Sequence, residues 1–184
     1  MSESPTSSSI CLCVTGGVAA YKSAHLASRL TQAGISVHVA LSPAAKHFIG
    51  PATFLALTGN PVIESVFAGE QAPYGGHIRL ASECDVLAVV PATANFLAKA
   101  AQGQSDCIAS ATYLAFDGPV FVAPAMNATM WKTPATQRNL QQLQADGTTI
   151  LHPEEGWLSC RQHGQGRLQD IDQILDFLIR QATS

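Results

Sequence analysis

The feature that most constrains this chain is a series of short apolar runs separated by glycine-bounded, amphipathic segments. The first run, Ile10 to Thr15, is followed by Gly16-Gly17 and then by apolar residues at helical spacing from Ala19 to Ala33. Gly34 is typical of the position after a helix, and a second apolar run extends from Ile35 to Leu41. This order predicts a right-handed β–α–β unit.

Further apolar runs and amphipathic segments alternate along the rest of the chain. Runs without polar alternation predict strands buried on both faces, so we expect an α/β fold, a parallel sheet with helices on both sides. Loops are predicted at residues 68–76 and at residues 153–167, the second interpreted as a loop or flap. Further strands are predicted at Asp85–Val90, Val120–Ala123 and Thr148–Leu151. A helix is predicted to begin at Ser42-Pro43, and the other predicted helices are Pro51–Gly59, His77–Cys84, Asn95–Ala101, Ser105–Phe116, Pro134–Ala145 and Ile171–Ala182.

The composition bounds the organisation and the partners of the chain. Its 184 residues suffice for one domain, which we place at residues 10–184 after a short disordered tail at residues 1–9. The net charge is −3 and Lys and Arg form no cluster, so we expect neither nucleic acid nor an anionic membrane as a partner. No apolar run approaches the roughly 20 residues of a membrane span, and no export signal is evident, which favours the cytoplasm.

Charged residues make up only 12% of the chain, against roughly 25% in typical soluble domains. A surface poor in charge favours a homo-oligomer that covers part of it; the alternative is a chain that is simply rich in alanine. The five cysteines form no Cys-x-x-Cys pair and no spacing with histidine that suits zinc, so no metal site is predicted. Four are expected to be small buried hydrophobes, whereas Cys160 lies among polar residues and is a candidate reactive thiol.

Ligands of such folds bind at the carboxyl ends of the strands, which directs attention to the loops there. Gly16, Gly17 and Val18 follow the first strand and begin a helix, a combination that suits a phosphate or, equally, a tight turn without a ligand. Ser42 follows the second strand and is a candidate for the same phosphate, for a helix N-cap, or for both. The turn has no GxGxxG pattern and no acidic residue ends the second strand to bind a ribose, which argues against a dinucleotide and leaves a mononucleotide open.

Two later loops and one histidine complete the candidate set. The segment Pro91 to Asn95 offers small residues against which a flat ring can lie, and polar groups that bind a ligand or cap a helix. The segment Pro124 to Trp131 contains Asn127, which can bind a carboxylate without adding charge, and apolar side chains that exclude water or pack under a neighbour. His77 follows two glycines and is either a proton-transfer group or an ordinary surface histidine.

In their order and spacing these segments match one family. The chain resembles the homo-oligomeric flavin-containing cysteine decarboxylases from about Ile10 to its last helix, most of all the bacterial branch that acts on phosphopantothenoylcysteine. This resemblance implies a Rossmann-like, flavodoxin-related three-layer sheet, a trimer or a tetramer of trimers, and FMN near the subunit interface. The matching motifs are His77-Ile78-x-Leu80, Pro91 to Asn95, Pro124-Ala125-Met126-Asn127-x-x-Met130-Trp131, and Leu158-x-Cys160 with Gly164-x-Gly166-Arg167.

The resemblance also implies roles for residues. The implied reaction is the FMN-dependent decarboxylation of 4′-phosphopantothenoylcysteine to 4′-phosphopantetheine in coenzyme A biosynthesis, through a thioaldehyde and an ene-thiol. His77 is implied as the base-like residue of the oxidative step, Asn127 as the ligand of the substrate carboxylate, and Cys160 as the proton donor of the reductive step, on a flap. Met126 and Met130 complete the implied substrate site. The residues implied for FMN are Gly16, Gly17, Val18, Ser42, Ala92, Thr93, Ala94, Asn95 and Ala125.

Relatives of the same fold provide the alternatives. Those that decarboxylate a C-terminal peptidyl cysteine stop at the ene-thiol and lack this cysteine arrangement, so Cys160 favours the full reaction. Non-catalytic FMN-binding subunits that inhibit phosphatases carry acidic extensions; flavin prenyltransferases lack the Asn127 motif, and flavodoxin-like electron carriers have no use for it. Because the chain ends after one domain, we expect a separate phosphopantothenate–cysteine ligase, or a ligase domain cut off at the boundary.

The sequence departs from the family pattern at three places. The flap reads Ser159-Cys160-Arg161 where Ala-Cys-Gly is usual, and Gly166-Arg167-Leu168 replaces Gly-Arg-Met. Asp106-Cys107 keeps only the first member of an acidic pair. These departures concern flap geometry and substrate detail more than the type of reaction.

Overall fold

A computed structural model describes residues 8–67 and 74–183. Within them, five strands form a parallel sheet in the order β2-β1-β3-β4-β5. The strand order changes direction between β1 and β3, and open α/β sheets bind ligands outside the carboxyl ends of the strands at such a point. The strands are β1 (Ser9–Val14), β2 (Ser36–Leu41), β3 (Val86–Ala92), β4 (Val120–Pro124) and β5 (Thr149–Ile150).

Helices cover both faces of this sheet. Along β1, Ile10 and Leu12 face one buried cluster, to which α1, α2 and α8 contribute, while Cys11 and Cys13 face a second cluster with α3, α4, α5 and α7. This alternation confirms the predicted three-layer α/β fold. The helices are α1 (Ala20–Gln32), α2 (Pro51–Thr58), α3 (Gly76–Glu83), α4 (Ala94–Ala101), α5 (Ile108–Ala115), α6 (Ala128–Lys132), α7 (Pro134–Ala145) and α8 (Ile171–Ala182).

Several predicted boundaries differ from the structure. Strand β3 continues through Pro91 to Ala92, because the missing N–H of proline falls at an irregularity in the pairing of β3 with β4. Ser42 begins only a single 3₁₀ turn (Ala45–His47), in which its hydroxyl accepts a hydrogen bond from the Ala45 amide at 3.3 Å. Helix α5 begins at Ile108 rather than Ser105, since the Ser110 hydroxyl accepts a hydrogen bond from the Cys107 amide before the helix.

The largest difference concerns residues 153–167, which were predicted as a loop. They contain an antiparallel hairpin, β6 (Glu154–Trp157) and β7 (His163–Arg167). These strands are polar and glycine-containing and contribute little to the core, so they lack the apolar alternation by which strands are recognised. The short helix α6, within the predicted loop Pro124 to Trp131, was missed for a similar reason: it has only five residues.

The predicted N-terminal tail lies mainly outside the described residues. Ser9, its last predicted residue, instead begins β1, because its amide and hydroxyl both donate to the Asp85 carboxylate, at 2.8 and 2.7 Å. Most of the predicted loop at residues 68–76 is likewise outside the described residues, and α3 begins within it, at Gly76. In the described part of the chain, no helix combines the length and apolarity that crossing a membrane requires.

Candidate functional site

A cavity of about 710 Å³ opens at the carboxyl ends of β1, β3 and β4. Its volume is typical of pockets that hold a cofactor and a small substrate. The loop after β1, the loop after β3, the loop after β4 and the β6–β7 hairpin form its walls. It is lined by Gly16, Gly17, Val18, Ala19, Tyr21, Lys22, Ala44, Pro91, Thr93, Ala94, Asn95, Ala125, Met126, Asn127, Met130, Trp157, Leu158, Ser159, Cys160, Gly166, Arg167 and Leu168.

Gly16 is required by the close approach of the two loops beside this cavity. A Cβ built at Gly16 would overlap the Cβ of Ala44 and lie 2.7 Å from the Ala44 carbonyl carbon. Gly17 is less crowded, since its Cβ would contact the Thr93 side chain at an ordinary 3.7 Å. The sequence therefore keeps a concave backbone where α1 begins, and this surface fits a phosphate or a flat ring.

Buried hydrogen bonds fix the loop after β3. The Thr15 hydroxyl donates to the Pro91 carbonyl at 2.7 Å and accepts from the Thr93 amide at 3.0 Å. The Thr93 hydroxyl in turn accepts from the Phe96 amide at 3.3 Å and caps α4. The residues of this loop therefore present a rigid surface of small side chains to the cavity.

A smaller cavity of about 270 Å³ adjoins the first and shares Gly16, Ala44, Thr93 and Asn95 with it. Ser42 lines this smaller cavity and not the larger one. Lys99 and Asp106 also line it and form an ion pair at 2.6 Å. The hydrogen bond from the Lys99 ammonium holds the pKa of the Asp106 carboxyl below its usual value.

Asn127 and Cys160 come together in the larger cavity although 33 positions separate them. The Asn127 amide nitrogen donates to Cys160 Sγ at 3.3 Å. Its amide oxygen accepts from the Thr129 amide at 2.8 Å and caps α6. Because the oxygen is held by the backbone, the NH₂ group is the end that faces the cavity, and it offers hydrogen-bond donors to an anion.

The hairpin is held against this asparagine loop by two glycines. The Met126 amide donates to the Gly166 carbonyl at 2.9 Å. A Cβ at Gly166, which has φ 129, would overlap the Met126 carbonyl oxygen, and a Cβ at Gly164 would lie 2.9 Å from Ala128 Cβ. Close packing at the base of the hairpin therefore sets the position of Cys160 at its tip.

The structure groups most of the predicted site residues but not all of them. His77 lies on α3 and lines neither cavity, and its buried Nδ1 has no hydrogen-bond partner among the described residues. Ala92 is fully buried inside β3 and also lines neither, because the strand extends further than predicted. The others implied for cofactor or substrate line the larger cavity, with Ser42 in the smaller one.

No role was predicted from the sequence for three residues whose side chains line the cavity, Lys22, Trp157 and Arg167, although Arg167 belongs to one of the motifs that match the family. Trp157 is 66% exposed although it lies on a strand, and an exposed tryptophan in a polar segment was the available signal. Lys22 is a cation in the first turn of α1, which the helix dipole disfavours. No group of three or more His, Cys, Asp or Glu residues in the described ranges is arranged to hold a metal ion.

Comparison with known proteins gives a consistent result. The chain is 40% identical to the coenzyme A biosynthesis bifunctional protein CoaBC of Bacillus subtilis over 166 residues, 90% of this chain and 41% of that protein. It is also 40% identical to a probable phosphopantothenoylcysteine decarboxylase of Streptococcus mutans over 168 residues, 90% of this chain and 94% of that protein. The chain thus spans less than half the length of the bifunctional relatives it matches.

Solved structures resemble it over nearly the whole chain. A Cys-to-Ser mutant of PPC decarboxylase with pantothenoylaminoethenethiol superposes with a TM-score of 0.89 at 27% identity, covering 97% of this chain and 100% of that one. The FMN-dependent cysteine decarboxylase SpaF gives 0.83 at 33% identity, covering 96% and 98%. The family model described as Flavoprotein matches residues 1–183. With this match and relatives at 40% identity, the chain belongs to the flavoprotein family.

Proposed function

We propose that this protein decarboxylates 4′-phosphopantothenoylcysteine to 4′-phosphopantetheine with FMN, in coenzyme A biosynthesis. The observation that carries the proposal is the contact of Asn127 with Cys160 inside one cavity at the carboxyl edge of the sheet. A carboxylate ligand and a thiol proton donor are the groups that the reaction requires, and they lie 3.3 Å apart. The relatives named for this activity or for coenzyme A biosynthesis support it.

The residues present fit FMN. The glycines after β1 leave a surface that a Cβ at Gly16 would fill, and Thr93, Ala94 and Asn95 offer small groups against a flat ring. The Ser42 hydroxyl, in the adjoining smaller cavity, is placed for a phosphate. FMN, when bound, supplies a reversible two-electron acceptor, so that carbon dioxide leaves a thioaldehyde and the resulting ene-thiol can be reduced.

The chain's own residues orient the substrate and handle its charge. The Asn127 NH₂ group donates to the substrate carboxylate, and it is held in that orientation because its amide oxygen caps α6. Apolar side chains around it, among them Met126 and Met130, solvate the localised charge of a carboxylate poorly, and so favour its transfer to the sulfur of the ene-thiolate as carbon dioxide leaves. The Cys160 thiol then gives its proton to the ene-thiol carbon.

His77 enters the site in a homo-oligomer, in which a second copy supplies it. One exposed apolar surface surrounds the cavity mouth, formed by Val18, Tyr21, Met130 and Trp157, and another lies near His77, formed by Tyr74, Ile78 and Leu114. Contact of one surface with the other is head-to-tail, and repetition gives a closed ring, such as a trimer, when the rotation between successive copies is a whole fraction of a turn. The buried Nδ1 of His77 has no hydrogen-bond partner in the part of the chain that the structure describes, which supports a role that needs a second copy.

The surroundings of the reaction follow from the same reasoning. We place it in the cytoplasm, since the five cysteines are all free thiols, as in a reducing compartment. A ligase that joins cysteine to phosphopantothenate, separate or fused, supplies the substrate; the bifunctional relatives support this partner.

The test is anaerobic incubation of the purified holoenzyme with phosphopantothenoylcysteine and identification of the product by mass spectrometry. Wild type should yield phosphopantetheine, and Cys160→Ser should accumulate the ene-thiol. Cys84→Ser is the control, since it makes the same exchange at a buried position outside both cavities. Ene-thiol from wild type would assign the chain to the oxidative branch that acts on peptidyl cysteine. Absence of turnover would refute the proposed activity.

A further inference from the structure

Two cations line the same cavity as Asn127 and Cys160. Lys22 extends from the first turn of α1, and Arg167 ends β7. Among the residues that the structure describes, neither forms an ion pair within 4.0 Å. Two like charges in one cavity, neither of them in a direct ion pair, favour the binding of an anion there.

Lys22 is held in this position against its local preference. It is half-buried, and burial, followed by the charge of Arg167, lowers the pKa of its ammonium. The negative charges of Asp170 and Glu154 raise the pKa of Lys22 from a distance, but both carboxylates accept hydrogen bonds from backbone amides. Glu154 accepts a hydrogen bond from the Asp170 amide at 3.1 Å, and Asp170 caps α8 through the Asp172 amide at 2.9 Å. Neither carboxylate therefore pairs directly with Lys22.

Arg167 is guided into the cavity by a glycine on the neighbouring strand. A Cβ at Gly156 would lie 2.8 Å from Arg167 Cδ and 3.0 Å from its Nη1, so the side chain lies flat across this position. Arg167 also directly follows Gly166, whose carbonyl accepts the hydrogen bond from the Met126 amide. The backbone that carries Arg167 is thus tied to the loop that carries Asn127, and its side chain lines the larger cavity and not the one that contains Ser42.

We propose that Lys22 and Arg167 together bind the phosphate of the substrate and so make the site specific for a phosphorylated pantothenoyl chain. The identity of that substrate rests on the proposed function. Both the substrate and FMN carry a phosphomonoester. The two phosphates are distinguished by the cavity in which each would bind. Ser42 lines the smaller cavity, whereas both cations line only the larger one. A bidentate guanidinium and an ammonium match the oxygens of a terminal phosphate.

The test measures binding without requiring turnover. Holoenzymes of wild type, Lys22→Gln, Arg167→Gln and the double variant are titrated by calorimetry with phosphopantetheine and with pantetheine. Arg138→Gln removes one positive charge from an exposed position outside the cavities and is the control. Wild type and the control should prefer the phosphorylated compound. In each cavity variant the Kd for phosphopantetheine should rise roughly tenfold to a hundredfold, and the Kd for pantetheine should change little. Flavin absorbance gives the FMN content of each holoenzyme.

Three results would overturn the inference. Wild type binding both compounds equally, or neither, would exclude a phosphate subsite here. An unchanged preference in the double variant would exclude these two cations. Loss of FMN content with unchanged preference would assign them to the cofactor phosphate instead. If the preference and its loss are observed but wild type fails to turn over phosphopantothenoylcysteine, the subsite stands and the proposed activity fails.

Discussion

Replacing Gly166 with alanine should detach the β6–β7 hairpin from the loop that carries Asn127. The added Cβ would overlap the Met126 carbonyl oxygen, which belongs to the backbone and cannot rotate away. The hydrogen bond from the Met126 amide to the Gly166 carbonyl joins the same two segments at 2.9 Å. One of the two segments must therefore move, and Cys160 moves with the hairpin.

The expected cost has two parts. A side chain at φ 129 costs about 1–3 kcal/mol of backbone strain, and loss of the hydrogen bond costs about 1 kcal/mol. The sum of about 2–4 kcal/mol corresponds to a fall in Tm of about 4–16 °C for a domain of this size. Gly147→Ala is the matched control: it has φ 93, but its Cβ would meet nothing within 4 Å, so it carries the strain alone.

Two measurements distinguish strain from displacement. Thermal unfolding should show a larger fall in Tm for Gly166→Ala than for Gly147→Ala. Anaerobic turnover followed by mass spectrometry should show that Gly166→Ala shifts the product toward ene-thiol, because Cys160 no longer lies beside Asn127. A Gly166→Ala protein with the control's Tm and an unchanged yield of saturated thiol would refute the argument that this glycine positions the hairpin.

Two further predictions concern a cap and a histidine. Asn127→Ala and Thr133→Ala each remove a helix N-cap, so each should lower the free energy of unfolding by about 1 kcal/mol. Only Asn127→Ala should also stop decarboxylation. Equal decarboxylation rates in the two variants would contradict the role of Asn127. Burial lowers the pKa of His38 in the folded protein. As the pH falls below about 6.5, the unfolded chain therefore binds a proton at this histidine before the folded protein does. The folded state loses stability over this range, until the pH is also below the folded pKa. His38→Gln should therefore lose less Tm than wild type between pH 7.5 and 5, whereas the same change at exposed His47 should follow wild type; parallel curves for His38→Gln and wild type would contradict this.

The parallel sheet was predictable because its signal is local. The run Ile10 to Thr15 is buried on both faces, so it is continuously apolar, and the glycines after it mark the turn. The site was predictable to the extent that strand ends in an α/β sheet meet at one edge. The hairpin was not, since its strands lie outside the central sheet and carry polar residues where buried strands carry apolar ones.

Residues that reach the site from elsewhere had no local signal of that kind. The helical periodicity placed Lys22 on the polar face of α1, and only the tertiary structure brings it and Arg167 of the hairpin to the same cavity. His77 illustrates the opposite case. Its motif was evident in the sequence, yet its position on α3 leaves it outside the cavity that the other motifs line.

Arg161 shows where sequence variation is tolerated in this site. Among the described residues it is the non-glycine residue with positive φ, at 62, a conformation that glycine would adopt with less strain. The turn around it is nevertheless closed, since the Arg161 amide donates to the Leu158 carbonyl and the Leu158 amide to the Gln162 carbonyl, both at 2.9 Å. Cys160 keeps its contact with Asn127 because the base of the hairpin, at Gly166, fixes its direction. Strain at the tip therefore costs stability without displacing the thiol, so the tip can vary in sequence where the base cannot.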